Sequence, residues 1–296
     1  MWSRQPVRVH GGGGGGGMYY RSTWWLVTSL VAIASAGMSS HRCLIIHMEN
    51  LTAWSPRMFP DLFEAKLRCH PDDVFDVLHA AQGERVPVDA SLTSYDAIVI
   101  TGSHYDCLSE RGDAYFDWYN PVIDVVRHAA AAGRPRIFGS CFGSNLMVFA
   151  LGGVVSRLPG GKYVLQAETL TTTPEFFTTM APSISTAPLL QTYTVLSTHE
   201  HHCESLPPGA VVLGSTLHCR NYFFTLGQHG NLLGLQGHPE FELDYCVKER
   251  IFPSVVGKMK RLTAVEVADS IQSLEDYTPD DANRLCDVIA AFLRGA

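Results

Sequence analysis

One cysteine of this sequence stands where a catalytic nucleophile would be expected. The stretch GSCFG at 139–143 has the pattern glycine, any residue, nucleophile, any residue, glycine, in which a chain turns sharply from a strand into a helix. The glycines are needed because a Cβ would collide with neighbouring backbone in so tight a turn. A thiol at a helix N-terminus is favoured as thiolate, its nucleophilic form. The pattern therefore predicts covalent catalysis by Cys141, and a buried, inert cysteine is the alternative.

A proton carrier for this thiolate lies far downstream, in the stretch GLQGHPEF at 234–241. His238 follows an apolar strand predicted over 232–236, and Glu240 comes two residues later. Residues i and i+2 of an extended segment face the same way, so the carboxylate can accept from one imidazole nitrogen and leave the other for the sulfur. Nucleophile, base and orienting acid are thus available, as a catalytic triad requires. A strand-end histidine without a catalytic task is the alternative.

Carbonyl chemistry at Cys141 also needs donors for the oxyanion that forms when the sulfur attacks. In a strand-to-helix elbow, the backbone amide of the residue after the nucleophile points toward the reacting group. That residue is Phe142 in this sequence. We therefore expect the amide of Phe142 to be one oxyanion donor.

The elements that would position these groups alternate between strand and helix. Apolar runs and helical periodicity predict strands at 42–48, 95–101 and 136–139 and helices at 61–70, 113–132 and 142–151. Short strands follow at 169–173, 193–198, 211–215, 222–226 and 232–236, and the stretch 171–188 is predicted to be a surface loop or lid. This order favours an α/β fold with a doubly wound, mostly parallel sheet and helices on both faces. Such sheets bind ligands at the carboxyl ends of their strands.

The first 40 residues are predicted to lie outside the folded part. Residues 11–17 are all glycine, and Arg21 precedes an apolar run over 24–34 that resembles a signal peptide or a short anchor. We expect a low-complexity extension over 1–40 that is disordered or carries a targeting segment at 18–37, although translation could instead start at Met18 or Met38. A domain over 41–258 and a C-terminal helical segment over 259–296 follow.

Composition excludes several classes of partner. The formal net charge is −7 and no basic stripe occurs, which argues against nucleic acid as a main partner. No second apolar run is long enough to span a bilayer, so we expect no membrane contact of the folded domain. The 8 cysteines are scattered without a CxxC pair, which indicates reduced thiols. A reactive thiolate favours a reducing compartment, and we expect a cytoplasmic location.

The stretch HEHHC at 199–203 has residue types that suit zinc. Its spacing does not, because five adjacent residues cannot all converge on one tetrahedral ion. We therefore predict no metal site, and a polar loop near the pocket is the favoured interpretation.

The two motifs together carry a resemblance to a known family. GSCFG, followed by a helix and Gly152-Gly153, and the distant GHPEF resemble the class I glutamine amidotransferases. The likeness is closest to stand-alone members such as the plant γ-glutamyl peptidases, with GMP synthase-type glutaminase domains also similar, and it spans about 41–255. It implies a flavodoxin-like fold and a reaction in which Cys141 attacks the γ-carbonyl of glutamine or of another γ-glutamyl compound.

The resemblance also implies roles for other residues. His238 would move protons and Glu240 would orient it, while the loop after the strand at 95–101 would supply a second oxyanion donor, the amide of Gly102 or Ser103. Asn145 stands where the family has glutamine, and His199 lies in the family's substrate loop, so both are expected to face substrate. Asparagine is one methylene shorter, which favours weaker binding of glutamine or a different acyl group. No metal or organic cofactor is implied.

The sequence thus predicts a glutamine amidotransferase-like hydrolase or transferase with a Cys141 thioester intermediate. Its substrate would be a small molecule, and transfer of ammonia would require a synthase partner chain. A γ-glutamyl or cysteine peptidase of the same fold is one alternative. A non-catalytic or redox-sensing relative, in which Cys141 is oxidised rather than acylated, is another, although such a protein is not expected to carry the GHPEF motif.

Overall fold

The computed structural model describes residues 39–52, 54–88, 90–105, 118–183 and 188–295. The predicted N-terminal extension over 1–40 therefore lies, apart from its last two residues, outside the described residues. Among the helices that the structure describes, none combines the length and apolar character needed to cross a bilayer. The boundary predicted between residues 258 and 259 stays a prediction.

Eleven strands are described in this part of the chain, nine of them in one central sheet. The strands are β1 (Arg42–His47), β2 (Val74–His79), β3 (Ala97–Ile100), β4 (Arg136–Ser140), β5 (Val154–Arg157), β6 (Val164–Thr172), β7 (Thr192–His199), β8 (His201–Ser205), β9 (Val211–Ser215), β10 (Phe223–Leu226) and β11 (Leu232–Leu235). The order in the sheet is β2-β1-β3-β4-β11-β10-β9-β6-β7, and β5 pairs with β8 separately.

The sheet has a parallel half and an antiparallel half. Strands β2, β1, β3, β4 and β11 run parallel to one another, whereas β10, β9, β6 and β7 extend the sheet with antiparallel pairings. The predicted α/β architecture is confirmed, and the carboxyl ends of β4 and β11 meet at one edge. In this register Leu235 pairs with Ser140, so the segments that follow the two strands emerge side by side.

Helices cover both faces of the parallel half. They are α1 (Met58–Leu67), α2 (Tyr119–Ala132), α3 (Phe142–Ala150), α4 (Pro174–Met180), α5 (Ala264–Glu275) and α6 (Asp280–Arg294). Alternate residues of β1 divide between the faces: Leu44 and Ile46 pack in one core with α2 and α3, and Cys43 and Ile45 pack in the other with α1 and α6. Such continuous apolar strands are typical of a sheet that is buried on both faces.

The prediction of a surface loop or lid over 171–188 is wrong for the first half of that stretch. Strand β6 continues to Thr172, and α4 begins at Pro174 with Phe176 and Met180 fully buried. A proline at the first helical position is pre-organised for a helix, because its fixed φ suits the first turn and its missing N–H would have no partner there. The proline therefore begins a helix where the composition had indicated a loop.

Helix α3 approaches the sheet so closely that no side chain fits between them. A Cβ on Gly143 would lie 2.3 Å from the carbonyl oxygen of Ile100 in β3, and a Cβ on Gly139 would lie 2.7 Å from the backbone carbon of Gly143. Both distances are far below van der Waals contact, so glycine is required at both positions. The helix start is thereby held against β3 and β4.

We predict that Gly143→Ala destabilises the protein by about 3 kcal/mol, because the new methyl group meets backbone that cannot move aside. Gly257→Ala is the matched control, since a Cβ there has no neighbour within 4 Å. Urea unfolding followed by circular dichroism measures both. Equal midpoints for the two variants would show that α3 can shift without penalty.

Candidate active site

The backbone of Cys141 is strained in the way a nucleophile elbow requires. Its φ of 48° and ψ of −107° place it in a region that L-residues avoid, directly between β4 and α3. Among the described residues only one other non-glycine residue, Lys260, has a positive φ. Such a conformation costs about 1–3 kcal/mol and persists where the surrounding packing enforces it. The glycine contacts of α3 provide that packing.

The sulfur of Cys141 is held among polar groups from β7 and from the segment that follows β11. The amide Nε2 of Gln236 donates to Sγ at 3.5 Å, and the carbonyl oxygen of Thr198 lies 4.0 Å from Sγ. His238 lines the same cavity as Cys141, and both side chains lie beside Gly102. Cys141 keeps an exposed fraction of 8%, so the thiol is largely screened from solvent and opens onto a cavity.

His238 and Glu240 form the second part of the constellation. Nδ1–H of His238 donates to Oε1 of Glu240 at 2.8 Å, which leaves Nε2 for the sulfur. The imidazole stacks on the ring of Phe241, with centroids 4.0 Å apart and planes 7° from parallel. Both polar residues are buried. The three side chains predicted from the sequence therefore meet at one edge of the sheet.

The electrostatics of this cluster favour a charged imidazole. Burial alone would lower the pKa of His238, but the charges of Glu240 and Cys141 and the hydrogen bonds to both raise it to about 10. A charged imidazole beside a cysteine sulfur is the arrangement by which cysteine enzymes favour thiolate over thiol. The site can therefore hold a nucleophile and a general acid in the same resting state.

The loop after β3 closes over the cluster from the other side. A Cβ on Gly102 would lie 2.8 Å from Cε1 of His238 and 3.6 Å from the Cβ of Cys141, so backbone approaches the reacting groups directly. Ser103 Oγ donates to the carbonyl oxygen of Met48 at 2.7 Å, which ties this loop to the end of β1. Gly102 and Ser103 thus lie where the predicted oxyanion loop should be.

Phe142 contributes its side chain and its amide to different places. Its ring is buried against Trp118 and Tyr119 in the core of the α2 and α3 face. Phe142 is the first residue of α3, so no helix carbonyl precedes it by one turn to accept a hydrogen bond from its amide. That amide is available to a ligand at the sulfur.

Two residues predicted to face substrate lie elsewhere. Oδ1 of Asn145 accepts from Sγ of Cys203 at 3.2 Å, which turns the amide toward β8. Nδ1–H of His199 donates to the carbonyl oxygen of His201 at 3.0 Å, and its Nε2 lies 3.6 Å from Glu168. Neither Asn145 nor His199 lines the cavity beside Cys141. Their predicted substrate contacts stay predictions, and in this structure both side chains are engaged within the protein.

The histidine-rich stretch forms the end of β7 and most of β8 rather than a loop. Successive residues of a strand point to opposite faces, so its ligand-type side chains diverge. Within the described ranges, no three His, Cys, Asp or Glu side chains are grouped so that they could hold a metal ion.

A cavity of about 370 Å³ opens beside the sulfur. Its wall combines Cys141 and His238 with an apolar and aromatic surface and a few charged groups. The side chains outside the predicted site include Glu49, Leu51, Trp54, Phe59, His104, Tyr163, Phe241, Arg250, Ile251, Val255, Lys258 and Met259. Several of these come from two π-helical segments, Leu243–Ile251 and Pro253–Lys258, which follow the GHPEF motif.

Sequence reasoning missed two polar residues that touch Cys141 or the His238–Glu240 pair. Gln236 precedes the GHPEF histidine by two residues, and Ser140 precedes Cys141 directly. Both residues lie inside or next to the two motifs, and this position in the sequence could have indicated that they belong to the site. Tyr163 was also missed; its hydroxyl pairs with Thr198 Oγ1 at 2.9 Å, and burial raises its pKa to about 12. Nothing in its local sequence indicates a position at the cavity.

Sequence comparison finds related proteins of known families, although no family model matches the chain. The chain is 29% identical over 227 residues to γ-glutamyl peptidase 3 of Arabidopsis thaliana, an alignment that covers 75% of this chain and 83% of the relative. It is 26% identical over 189 residues to the glutamine amidotransferase-like protein chry6 of Gibberella zeae, covering 62% of this chain and 67% of the relative.

Structure comparison finds glutamine amidotransferases that share the fold of this chain. A glutamine amidotransferase from Thermotoga maritima superposes with a TM-score of 0.59 at 18% identity, covering 86% of this chain and 99% of the other. A glutamine amidotransferase from Methylobacillus flagellatus gives a TM-score of 0.59 at 19% identity, covering 84% and 94%. The predicted resemblance is confirmed: the chain has the fold of the class I glutamine amidotransferases and resembles the γ-glutamyl peptidases in sequence.

Proposed function

We propose that this chain hydrolyses the amide bond of γ-glutamyl compounds through a thioester on Cys141. The observation that carries the proposal is the convergence of Cys141 and His238 beside the backbone of Gly102 at the wall of a cavity, with Glu240 hydrogen-bonded to His238. The named relatives support hydrolysis of γ-glutamyl bonds as the reaction class.

In the acylation step, the thiolate of Cys141 attacks the γ-carbonyl carbon and the carbonyl oxygen becomes an oxyanion. The amides of Phe142 and Gly102 are the candidate donors to that oxyanion. As the C–N bond breaks, Nε2–H of His238 gives its proton to the leaving amine. Glu240 holds the imidazole through Nδ1–H, so the nitrogen that carries the transferred proton faces the sulfur.

In the deacylation step, water attacks the thioester while Nε2 of His238 takes one of its protons. The second tetrahedral intermediate collapses by breaking the C–S bond, which releases a γ-carboxylic acid and restores the thiolate and the imidazolium. The reaction consumes one water per amide bond and leaves the enzyme unchanged. No step needs a metal or an organic cofactor, and the thiolate suits a reducing compartment such as the cytoplasm.

The cavity supports a substrate larger than glutamine. Its volume of about 370 Å³ lies in the range of pockets that hold drug-sized ligands. Its apolar wall includes Trp54, Phe59 and Phe241, which suits an organic leaving group better than ammonia. We therefore propose γ-glutamyl peptides or amides with an apolar amine as substrates, in preference to glutamine. A synthase partner for ammonia transfer stays a prediction from the sequence.

Labelling with a glutamine-mimicking chloroketone tests the nucleophile. We predict a single adduct by intact mass, which disappears in Cys141→Ser because the reactive sulfur is gone. Cys69→Ser is the control, since Cys69 is an exposed thiol away from the cavity and its loss should leave the adduct in place. An adduct that persists in Cys141→Ser, or no adduct on the wild type, contradicts the assignment.

Substrate preference tests the proposed leaving group. We expect kcat/KM for a γ-glutamyl dipeptide with an aromatic second residue to exceed that for glutamine by about tenfold or more, because burial of the ring in the cavity adds binding energy that ammonia cannot supply. Release of the amino acid and release of ammonia are measured separately. A higher kcat/KM for glutamine would sink the peptidase proposal and favour a glutaminase.

The pH dependence tests the charged imidazole. Because the pKa of His238 is raised from 6.5 to about 10, the stability that the imidazolium contributes is fully present below pH 6.5 and is lost as pH rises through about 10. Activity should fall in the same alkaline range, since the general acid is then deprotonated. Glu240→Gln removes one of the charges that raise this pKa, so we predict that the alkaline limb of the kcat/KM profile moves to lower pH. An unmoved limb would show that Glu240 does not set the charge of His238.

A further inference from the structure

The carboxylate of Glu240 is completely buried, yet it has few partners. Its side chain is 0% exposed. Oε1 accepts from His238 at 2.8 Å and from Ser140 at 3.2 Å, and Oε2 has no hydrogen-bond partner among the described residues. A buried carboxylate is costly unless its charge is paired and its oxygens are hydrogen-bonded. The hydroxyl of Ser140 is therefore a second candidate donor to this carboxylate.

Ser140 lies where the two catalytic motifs meet. It is the last residue of β4, fully buried, and its Oγ lies 3.2 Å from Glu240 Oε1 and 3.4 Å from His238 Nδ1. A third contact is the carbonyl oxygen of Gly237, also at 3.2 Å. A hydroxyl has one proton, so it donates to one of these acceptors at a time. Hydrogen bonds to a charged acceptor are about twice as strong as those to a neutral one, which favours Glu240 over Gly237.

We propose that Ser140 is a positioning residue for the reaction: its hydroxyl donates to Glu240 Oε1 and fixes the carboxylate that orients His238. The proposal deepens the proposed function and rests on it. Ser140 does not touch the substrate or the reacting atoms. Its effect reaches the sulfur through Glu240 and the imidazole, because a carboxylate held at one oxygen by two donors cannot rotate away from His238.

A purely structural role is the alternative. If the hydroxyl donates to the carbonyl oxygen of Gly237, Ser140 joins β4 to the segment after β11 and contributes to stability alone. The two roles predict different effects of a Ser140 substitution on the reaction rate of protein that remains folded.

The test compares Ser140→Ala with Ser270→Ala. Ser270 is an equally buried serine on α5 whose hydroxyl donates to the carbonyl oxygen of Leu165, away from the cavity. In folded protein, confirmed by urea unfolding, we expect Ser140→Ala to lower kcat by about ten- to hundredfold, the effect of losing a hydrogen bond to a charged group, with KM unchanged. Ser270→Ala should lose stability only. A kcat for Ser140→Ala within about twofold of the wild type would overturn the proposal.

The coupling to Glu240 gives a second readout. In a Glu240→Gln background the acceptor is neutral, so adding Ser140→Ala should lower kcat by less than it does in the wild type. Equal losses in both backgrounds would show that Ser140 does not act through the carboxylate.

The rate at which iodoacetamide alkylates Cys141 separates this proposal from the proposed function, because that reaction needs no γ-glutamyl substrate. We expect Ser140→Ala to slow alkylation while Ser270→Ala does not. If wild-type Cys141 reacts rapidly but no γ-glutamyl amide is hydrolysed, the proposed function fails and the alkylation rates still decide the role of Ser140. If alkylation is as fast in Ser140→Ala as in the wild type, the positioning role fails.

Discussion

The contact between Gly143 and the carbonyl oxygen of Ile100 is the constraint on which the remaining structure depends. Because no side chain fits between α3 and β3, the helix begins directly at the sheet and the preceding residue is forced into a positive φ. That residue is Cys141, whose sulfur then faces the segments that follow β11. A looser helix start would relieve the backbone strain and would move the thiol away from His238. The tight packing of α3 and the position of the Cys141 sulfur therefore depend on each other.

Burial gives the site its chemical character. His238 and Glu240 are removed from water, so each charge interacts strongly with its neighbour and weakly with solvent. Desolvation alone would discharge the imidazole, but the charges of Glu240 and Cys141 outweigh it and the pKa of His238 rises. The interaction is directional as well, because Nδ1–H is committed to Glu240. Glu240 therefore influences both the charge of the imidazole and its orientation.

The sequence predicts those parts of the site that lie within one short motif. Cys141 is recognisable from its flanking glycines, and the His238–Glu240 pair from its i, i+2 spacing after an apolar strand. The alternating order of strands and helices likewise predicts the doubly wound half of the sheet. Each of these inferences depends on residues that are close in the sequence, because backbone geometry fixes how such residues are arranged.

The unpredicted features depend on contacts between distant segments. The direction of the Asn145 side chain is decided by its contact with Cys203 in β8. Trp54 and Tyr163 line the cavity from segments that are far apart in the sequence and come together only in the folded protein. The loop predicted around Pro174 is wrong for a different reason: proline ends some secondary-structure elements and begins others, and here it begins a helix. Side-chain direction and cavity shape are thus fixed by tertiary packing, which periodicity does not describe.

The place of β11 in the sheet has a consequence for biosynthesis. This strand is the last of the sheet to be synthesised, yet it occupies the slot between β4 and β10. Cys141 is therefore synthesised before β11, and the pairing of β11 with β4 brings the segment that carries His238 beside it. A polypeptide in which β11 has not yet paired therefore holds Cys141 apart from the imidazole of His238.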